Sequence, residues 1–305
     1  MKDRIDPSRP LGDEVRRLGG PLIAGAIADL EAARDTPEAS YHRCRRKLKR
    51  LRALMRLVRP ADPDFWRAEN TRWRDLGRSL AGAREAAALV ETLDRLVHDD
   101  PVRTAGGALD DLRRGLVARH DAIAASMAEG GKGLAAALAA AREGQVAFSG
   151  CVLPGEPREA SRLLAEGTAV ALRRAAAACR VARRTGKAEA FHELRKAVKA
   201  HQAQLGLLRD LWPKRVRMRL RDLDALGERL GELNDAEVMR LRLAEGAIAA
   251  SEDESELLDK LLRRTEKRLR RDSLVAAERL FDLKPGKLSR NLARRFRDLA
   301  EANTQ

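Results

Sequence analysis

One predicted helix concentrates side chains that bind anions. Residues 41–60 contain nine Arg or Lys residues and one His, but no Asp or Glu. On a 3.6-residue wheel, an apolar stripe opposes most of the cations. The stripe is Cys44, Leu48, Leu51, Met55 and Val58, and the opposite side carries His42, Arg45, Arg46, Lys49, Arg52 and Arg56. Since such cations form charge-assisted hydrogen bonds with phosphate oxygens, the pattern predicts a helix that packs on a core and binds a polyanion.

The same arrangement returns 150 residues later, within residues 191–213. There, His192, Arg195, Lys196 and Lys199 take the places of His42, Arg45, Arg46 and Lys49. The register continues into the next helix, where Arg67 matches Arg217 and Leu76-Gly77 matches Leu226-Gly227. A repeat kept in register across two helices and their connection predicts two copies of one unit.

The composition predicts an all-α protein. Ala, Leu, Arg and Glu dominate, aromatic residues make up only 3%, and strand-like alternation is scarce. A chain of 305 residues is long enough for two such units. We therefore predict two pseudo-symmetric helical-bundle halves, residues 1–148 and residues 156–305, with a Gly- and Pro-containing boundary between them.

The helical pattern also gives approximate element bounds. The predicted helices cover residues 11–30 with an interruption at 19–21, residues 37–60, residues 62–97, residues 101–127 and a short basic stretch in the tail. Residues 251–254, Ser-Glu-Asp-Glu, have the form of a capping box, so we assign these acids a structural role. His201 lies in the apolar stripe of its helix and is predicted to be a core histidine. Trp66, Trp73 and Trp212 are predicted core anchors.

The net charge of +15 predicts an anionic partner, because so much like charge opposes folding unless a ligand or counterions offset it. The apolar run at residues 134–141 is too short to span a bilayer, and the amino terminus lacks the apolar core of a signal peptide. Three widely spaced cysteines argue against a disulfide framework or a zinc site. These features predict a soluble cytoplasmic protein without a membrane partner.

The basic residues resemble the CHAD domain family, a helical domain named for its histidines, in which each half carries a motif H-x-x-R-x-x-x-[KR]. His42, Arg45 and Lys49 fit the first motif, and His192, Arg195 and Lys199 fit the second. Residues 226–236 resemble that family's LG-x-L-N-D-A segment, and residues 278–285 resemble its closing segment. The resemblance covers nearly the whole chain from about residue 11.

This resemblance implies non-catalytic binding of inorganic polyphosphate in a basic channel lined by both halves, without cofactor or metal. It is compatible with association with polyphosphate granules. The residues so assigned are His42, Arg45, Arg46, Lys49, Arg50, Arg52, Arg56, Arg67, His192, Arg195, Lys196, Lys199, Arg217 and Arg221. Ala200 and Gln202 stand where the second half would usually be basic, which predicts a weaker second site. Glu85 and Asp235 either orient the basic side chains or are exposed helix acids.

Two other functions remain open on the sequence. A phosphate track does not read base sequence, so the partner could be the backbone of a nucleic acid, although sparse aromatics argue against single-strand recognition. An enzyme is the other alternative, because His98-Asp99 and His120-Asp121 have the form of the metal-binding pair of helical phosphohydrolases. No further ligands stand at a recognisable spacing, and we expect no catalytic activity.

Overall fold

The computed structural model describes residues 4–80, 82–128, 131–282 and 285–302. Within these ranges the chain forms eleven α-helices, four short 3₁₀ segments and no strand, so the all-α prediction is confirmed. The helices are α1 (Leu11–Glu31), α2 (Pro37–Val58), α3 (Pro63–Ser79), α4 (Gly82–Asp99), α5 (Asp110–Ala128), α6 (Gly131–Ser149), α7 (Pro157–Thr185), α8 (Ala188–Leu207), α9 (Pro213–Ala244), α10 (Glu252–Phe281) and α11 (Pro285–Ala302). None of them is both long and apolar enough to cross a membrane.

Proline and short polar residues begin several helices where the sequence predicts. Pro37 is the first residue of α2, where its missing N–H costs nothing. Thr36 precedes it, but its hydroxyl contacts Ser40 at 3.1 Å and makes no side-chain cap to the backbone. Asp62 caps α3 by accepting a hydrogen bond from the N–H of Phe65 at 3.0 Å. The basic helix thus begins as predicted, and it ends at Val58, immediately before a 3₁₀ turn that contains Pro60.

Three predicted helix bounds are wrong. α1 runs without interruption through residues 19–21 and carries Pro21 in its interior. The helix predicted for residues 62–97 ends at Ser79, and a second helix begins at Gly82. The helix predicted from residue 101 begins only at Asp110, after a 3₁₀ turn that contains Gly106 at a φ of 73°. The Gly-Gly-Pro sequence at residues 19–21 therefore does not end a helix, whereas Gly82 and Gly106 do stand at breaks.

Helix α2 lies at the centre of the helical array. It packs against α1, α3, α5, α7 and α8, and its apolar stripe, including Cys44, Leu51 and Met55, is fully buried. Trp66 and Trp73 of α3 are buried in the same core, as predicted, whereas Trp212 is only partly buried. Because the apolar side of α2 faces this core, the basic side of the helix faces away from it.

The buried apolar residues do not separate at the predicted boundary between residues 148 and 156. The larger cluster draws on helices from both sides of that boundary. The smaller cluster joins α4 and α5 to the C-terminal part of α9 and the start of α10. Neither predicted half therefore has a core of its own, while the repeat itself and its bounds stay a prediction.

The predicted capping box forms at the start of α10, and it also connects α10 to α5. Ser251 Oγ accepts a hydrogen bond from the N–H of Glu254 at 3.2 Å, and Glu254 Oε2 accepts one from the N–H of Ser251 at 2.9 Å. The other carboxylate oxygen of Glu254 accepts from the N–H of Leu112 in the first turn of α5, at 2.9 Å. Glu254 thus satisfies amide groups at two helix amino termini, which confirms the structural role of this acidic cluster.

Helices α2 and α7 cross at a glycine. A Cβ atom on Gly167 of α7 would lie 2.0 Å from the carbonyl oxygen of Leu57 in α2. Because this neighbour is backbone, it cannot move aside as a flexible side chain can. Only glycine allows the two helices to approach this closely.

We predict that Gly167→Ala destabilises the protein by about 1–3 kcal/mol, the usual range for an overpacked core. Gly115→Ala in α5 is the matched control, since a Cβ there meets nothing within 4 Å. Removing a helix-interior glycine at that open position should stabilise the fold by about 0.5–1 kcal/mol. Chemical denaturation of both variants measures the difference, and equal free energies of unfolding would contradict the close crossing.

A buried histidine joins α8 to α9. Arg219 of α9 donates from Nε to His201 Nε2 at 3.4 Å and from Nη2 to the carbonyl of Leu280 in α10 at 3.0 Å. Burial, followed by the positive charge of Arg219, lowers the pKa of His201 to about 3. His201 is therefore the core histidine that the sequence predicts, and it accepts the Arg219 hydrogen bond only in its neutral form.

We predict that His201 makes the fold sensitive to mild acid. Its folded-state pKa lies below the unfolded value of about 6.5, so its stabilisation is complete above pH 6.5 and is lost as pH falls toward 3. The loss approaches about 1.4 kcal/mol per pH unit. Between pH 6.5 and 5, where most carboxylates stay ionised, the free energy of unfolding should fall in the parent and less steeply in His201→Leu. The same slope in both proteins would contradict this assignment.

Candidate anion-binding surface

The basic residues of α2 form what we call the α2 track. The α2 track consists of His42, Arg45, Arg46, Lys49, Arg50, Arg52 and Arg56. The side chains near the start of the helix are mostly exposed, whereas Arg45, Arg52 and Arg56 are half-buried. Arg45 Nη1 donates to the carbonyl of Leu80, just after α3, at 3.0 Å, and Arg52 Nε donates to Asn70 Oδ1 of α3 at 3.1 Å. Helix α3 therefore fixes the direction of two arginines in the track.

The end of the α2 track lies in a crowd of like charges. Burial, followed by the charges of Arg56, Arg74 and Arg78, lowers the pKa of Arg52 to about 10. Burial also lowers the pKa of Arg56, with further contributions from Arg174 of α7 and from Arg59. Such environments disfavour the charged form of a side chain. An anion placed among these groups would stabilise their positive charges.

Few acids balance this end of the track. Asp75 lies 2.8 Å from Arg74 and 3.7 Å from Arg78, so two guanidiniums share one carboxylate. Among the residues that the structure describes, Arg56 has neither an ion pair nor a hydrogen bond. The surface around Arg56 thus carries an excess of positive charge within a partly desolvated site.

The α8 track comprises His192, Arg195, Lys196 and Lys199, and small residues of α9 hold it in place. His192 Nδ1 lies 2.7 Å from Asn234 Oδ1. Arg195 passes over Gly231, and Lys199 passes over Gly227 so closely that a Cβ there would lie 2.7 Å from Nζ. The two glycines of α9 therefore leave room for Arg195 and Lys199, and the asparagine contacts His192.

Acidic residues partly neutralise the α8 track. Glu193 pairs with Lys196 and also lies 3.5 Å from Arg174. Asp224 lies 3.7 Å from Lys199 and accepts a hydrogen bond from Gln202 at 2.7 Å. An anion would have to displace these carboxylates to contact the two lysines, and the relative strength of the second site stays a prediction.

Arg174 connects the two tracks. Its charge reaches Arg56 of the α2 track, and its Nη2 contacts Glu193, which in turn pairs with Lys196 of the α8 track. Helices α7 and α8 both pack on α2. The fold therefore brings the C-terminal part of the α2 track next to the α8 track on one surface.

Several predicted site residues lie elsewhere or face other partners. Arg67 pairs with Asp64 at 2.7 Å in the first turn of α3, and Arg217 Nε donates to the carbonyl of Pro213 in its own helix. Arg221 is exposed on α9. Within the described part of the chain, Arg67 and Arg217 thus contact partners in their own helices, and none of the three residues lies on α2 or α8.

The predicted orienting acids have different partners as well. Glu85 binds Arg242 of α9 at 2.7 Å, so its ion pair joins α4 to α9 and is not made to α2. Asp235 accepts a hydrogen bond from Asn234 Nδ2 at 3.2 Å. Asp235 thus orients the asparagine that contacts His192, one step removed from the role predicted for it.

Sequence reasoning missed Asn234, Arg74, Arg78 and Arg174. Asn234 stands next to the predicted Asp235, and its amide suits an imidazole partner. Arg174 belongs to an Arg-Arg pair in an otherwise Ala-rich helix, which is a detectable signal. At the 150-residue offset, Asp224 and Glu228 occupy the places of Arg74 and Arg78. The two arginines therefore do not belong to the pattern that the two basic segments share.

The two His-Asp pairs, which have the form of a metal-binding motif, contact different partners. Asp99 contacts Arg268 at 3.2 Å, while His120 contacts Asp121 at 3.0 Å and Glu38 at 3.6 Å. Across the described ranges, no group of three or more His, Cys, Asp or Glu residues is arranged to hold a metal ion.

The fold and the two basic helices place the chain in a known family. The CHAD domain family matches residues 22–244, which is most of the chain. The protein therefore belongs to the CHAD domain family. A comparison with curated protein sequences gives no match.

Two solved structures share the fold. The crystal structure of the CHAD domain from the plant Ricinus communis aligns with a TM-score of 0.59 and 19% identity, over 95% of this chain and 93% of that one. PptA from Streptomyces chartreusis aligns with a TM-score of 0.58 and 18% identity, over 90% of this chain and 98% of that one. At these identities the likeness extends to the fold alone.

We predict that Arg56→Met stabilises the protein in the absence of a polyanion. The substitution removes a half-buried cation that faces Arg174 and Arg59, while the alkyl volume is largely kept. The free energy of unfolding should rise by about 0.5–2 kcal/mol at low salt, the usual range for a single stabilising substitution. Arg67→Gln is the control, and its effect should stay within about 0.5 kcal/mol because Arg67 is exposed. A less stable Arg56→Met protein would show that Arg56 has a structural role.

Proposed function

We propose that the protein binds inorganic polyphosphate without catalysing a reaction, through the α2 track and the cations that surround its C-terminal end. The observation that carries this proposal is the set of half-buried guanidiniums of Arg52 and Arg56 beside Arg74, Arg78 and Arg174. Such a set of like charges opposes folding in the free protein, and a bound anion would offset this repulsion. The family resemblance supplies the identity of the anion.

The shape of the cationic surface supports a chain-like ligand. From His42 to Arg56 the α2 track extends over fourteen residues, or roughly 21 Å at 1.5 Å per residue. A single phosphate would contact one turn of this helix at a time. A linear polyphosphate can contact successive turns and release several counterions, which gives affinity without specific recognition of a terminus.

The first contacts of the ligand belong to the α2 side. There the neighbouring charges include three arginines of α3 and α7 and one acid, Asp75, whereas those of the α8 track include Glu193 and Asp224. The ligand therefore gains more from the α2 track, and Arg174 extends its path toward Lys196. In this proposal the protein resides in the cytoplasm and associates with polyphosphate wherever the polymer accumulates, granules included.

The test compares three double variants that each lose two positive charges. Lys49→Gln/Arg56→Gln changes the α2 track, Lys196→Gln/Lys199→Gln changes the α8 track, and Arg67→Gln/Arg217→Gln is the matched control. Titration calorimetry with long-chain polyphosphate at two salt concentrations should show a loss of at least about tenfold for the first variant, a smaller loss for the second and little change for the control. The logarithm of the affinity of the parent should fall steeply with the logarithm of salt concentration, by several units of slope.

Two results would contradict the proposal. One is a salt slope near zero, because a polyelectrolyte contact must release counterions. The other is a duplex DNA that displaces polyphosphate at equal phosphate concentration, which would favour a nucleic-acid backbone as the partner. An equal loss in all three variants would show that only net charge matters.

A further inference from the structure

A second group of arginines lines a concavity between α7 and α11. The concavity has a volume of about 450 Å³, within the usual range of small-molecule sites. Four arginines surround it: Arg162 of α7 and Arg290, Arg294 and Arg297 of α11. Asn291 adds an amide, and the small side chains of Ala165 and Ala293 leave the space open. None of these residues belongs to the α2 track or the α8 track.

The core holds α11 in the orientation that creates this arginine group. Leu292, Phe296 and Ala300 are buried, and α11 packs along α7. Arg290, Arg294 and Arg297 follow the spacing i, i+4 and i+7, so they share one side of the helix. Because apolar packing fixes the opposite side of α11, the three guanidiniums remain beside Arg162 even though their charges repel.

These four arginines are also unbalanced by acids. Glu166 stands four residues after Arg162 and Asp298 four residues after Arg294, a spacing that often gives helix ion pairs. Within the described ranges neither pair forms, and none of the four arginines has an ion pair or a hydrogen bond. Elsewhere on the surface many arginines are paired, such as Arg142 with Glu31 at 3.1 Å. Because the acids nearest in sequence do not pair with these arginines, the concavity keeps a net positive charge.

We propose that this concavity is a second anion site, which takes an oligophosphate group of two or more adjacent phosphates. A single terminal phosphate carries roughly −1.5 to −2 charges, so one phosphate alone would offset only about half of the charge of four guanidiniums. Guanidinium forks bind phosphate oxygens in pairs, and the alanines leave no aromatic platform for a base. The arginines of α11 lie outside residues 22–244, the part that the family matches.

This site shares no residue with either track, so variants of the tracks and of the concavity can be tested separately. Its ligand could be a free short oligophosphate or a segment of a longer chain that continues from elsewhere on the protein. The chemistry of recognition is the same in both cases. Tripolyphosphate represents the free form, and long-chain polyphosphate represents the polymer.

The experiment uses the full chain and two charge-matched double variants. Arg290→Gln/Arg294→Gln changes the concavity, and Arg184→Gln/Arg279→Gln removes two exposed arginines that do not line it. Each pair of changes is also combined with Lys49→Gln/Arg56→Gln, so that binding to the α2 track is suppressed. Calorimetry with tripolyphosphate in that background should show a loss of at least tenfold for the concavity variant and little change for the control. A parallel loss with long-chain polyphosphate would assign a polymer segment, and a loss with tripolyphosphate alone would assign a short ligand.

Thermal unfolding separates a binding role from a structural one. Without ligand, Arg290→Gln/Arg294→Gln should unfold at the parent temperature or above it, because like charges are removed. Added tripolyphosphate should then raise the unfolding temperature less than it does in the parent. The proposal is overturned if this variant unfolds at a clearly lower temperature without ligand, if the control loses as much affinity, or if Lys49→Gln/Arg56→Gln alone abolishes tripolyphosphate binding.

Discussion

The close approach of α7 to α2 at Gly167 and Leu57 holds Arg174 of α7 near the C-terminal part of the α2 track. Apolar packing supplies the force that holds these helices together, since each fully buried Leu or Met contributes about 1.5–3 kcal/mol. Repulsion between two exposed charges 4 Å apart costs only about 1 kcal/mol in water, and more where water is excluded. The core can therefore hold Arg56 and Arg174 near each other against their charge.

The two tracks use the same kind of helix in different electrostatic surroundings. On the α2 side, α3 contributes Arg74 and Arg78, and among the described residues Asp75 alone pairs with them. On the α8 side, Glu193 and Asp224 hold the lysines before any ligand arrives. The two tracks thus differ in the charges around them, and on the α8 side Gly227 and Asn234 of α9 contact Lys199 and His192.

The sequence predicted the fold class, the basic helices and the buried His201, because helical periodicity records which side of a helix is covered. It could not predict the break after Ser79 or the joint core, because cores are made by contacts between residues that are distant in the chain. Arg67 and Arg217 were predicted by register alone, yet their side chains turn toward their own helix ends. Arg174 lay outside both motifs, and only the crossing of α7 with α2 brings it to the surface that they form.

Helix α9 has a further consequence for the molecule as a mechanical object. Its 32 residues form one uninterrupted helix, roughly 48 Å long at 1.5 Å per residue. Leu223 and Leu230 belong to the larger apolar cluster and Met239 to the smaller one, with Asn234 between them. The helix therefore connects the two clusters as one rigid rod, and a tilt imposed where α4 packs against its C-terminal part would be transmitted along its axis to Asn234, which contacts His192.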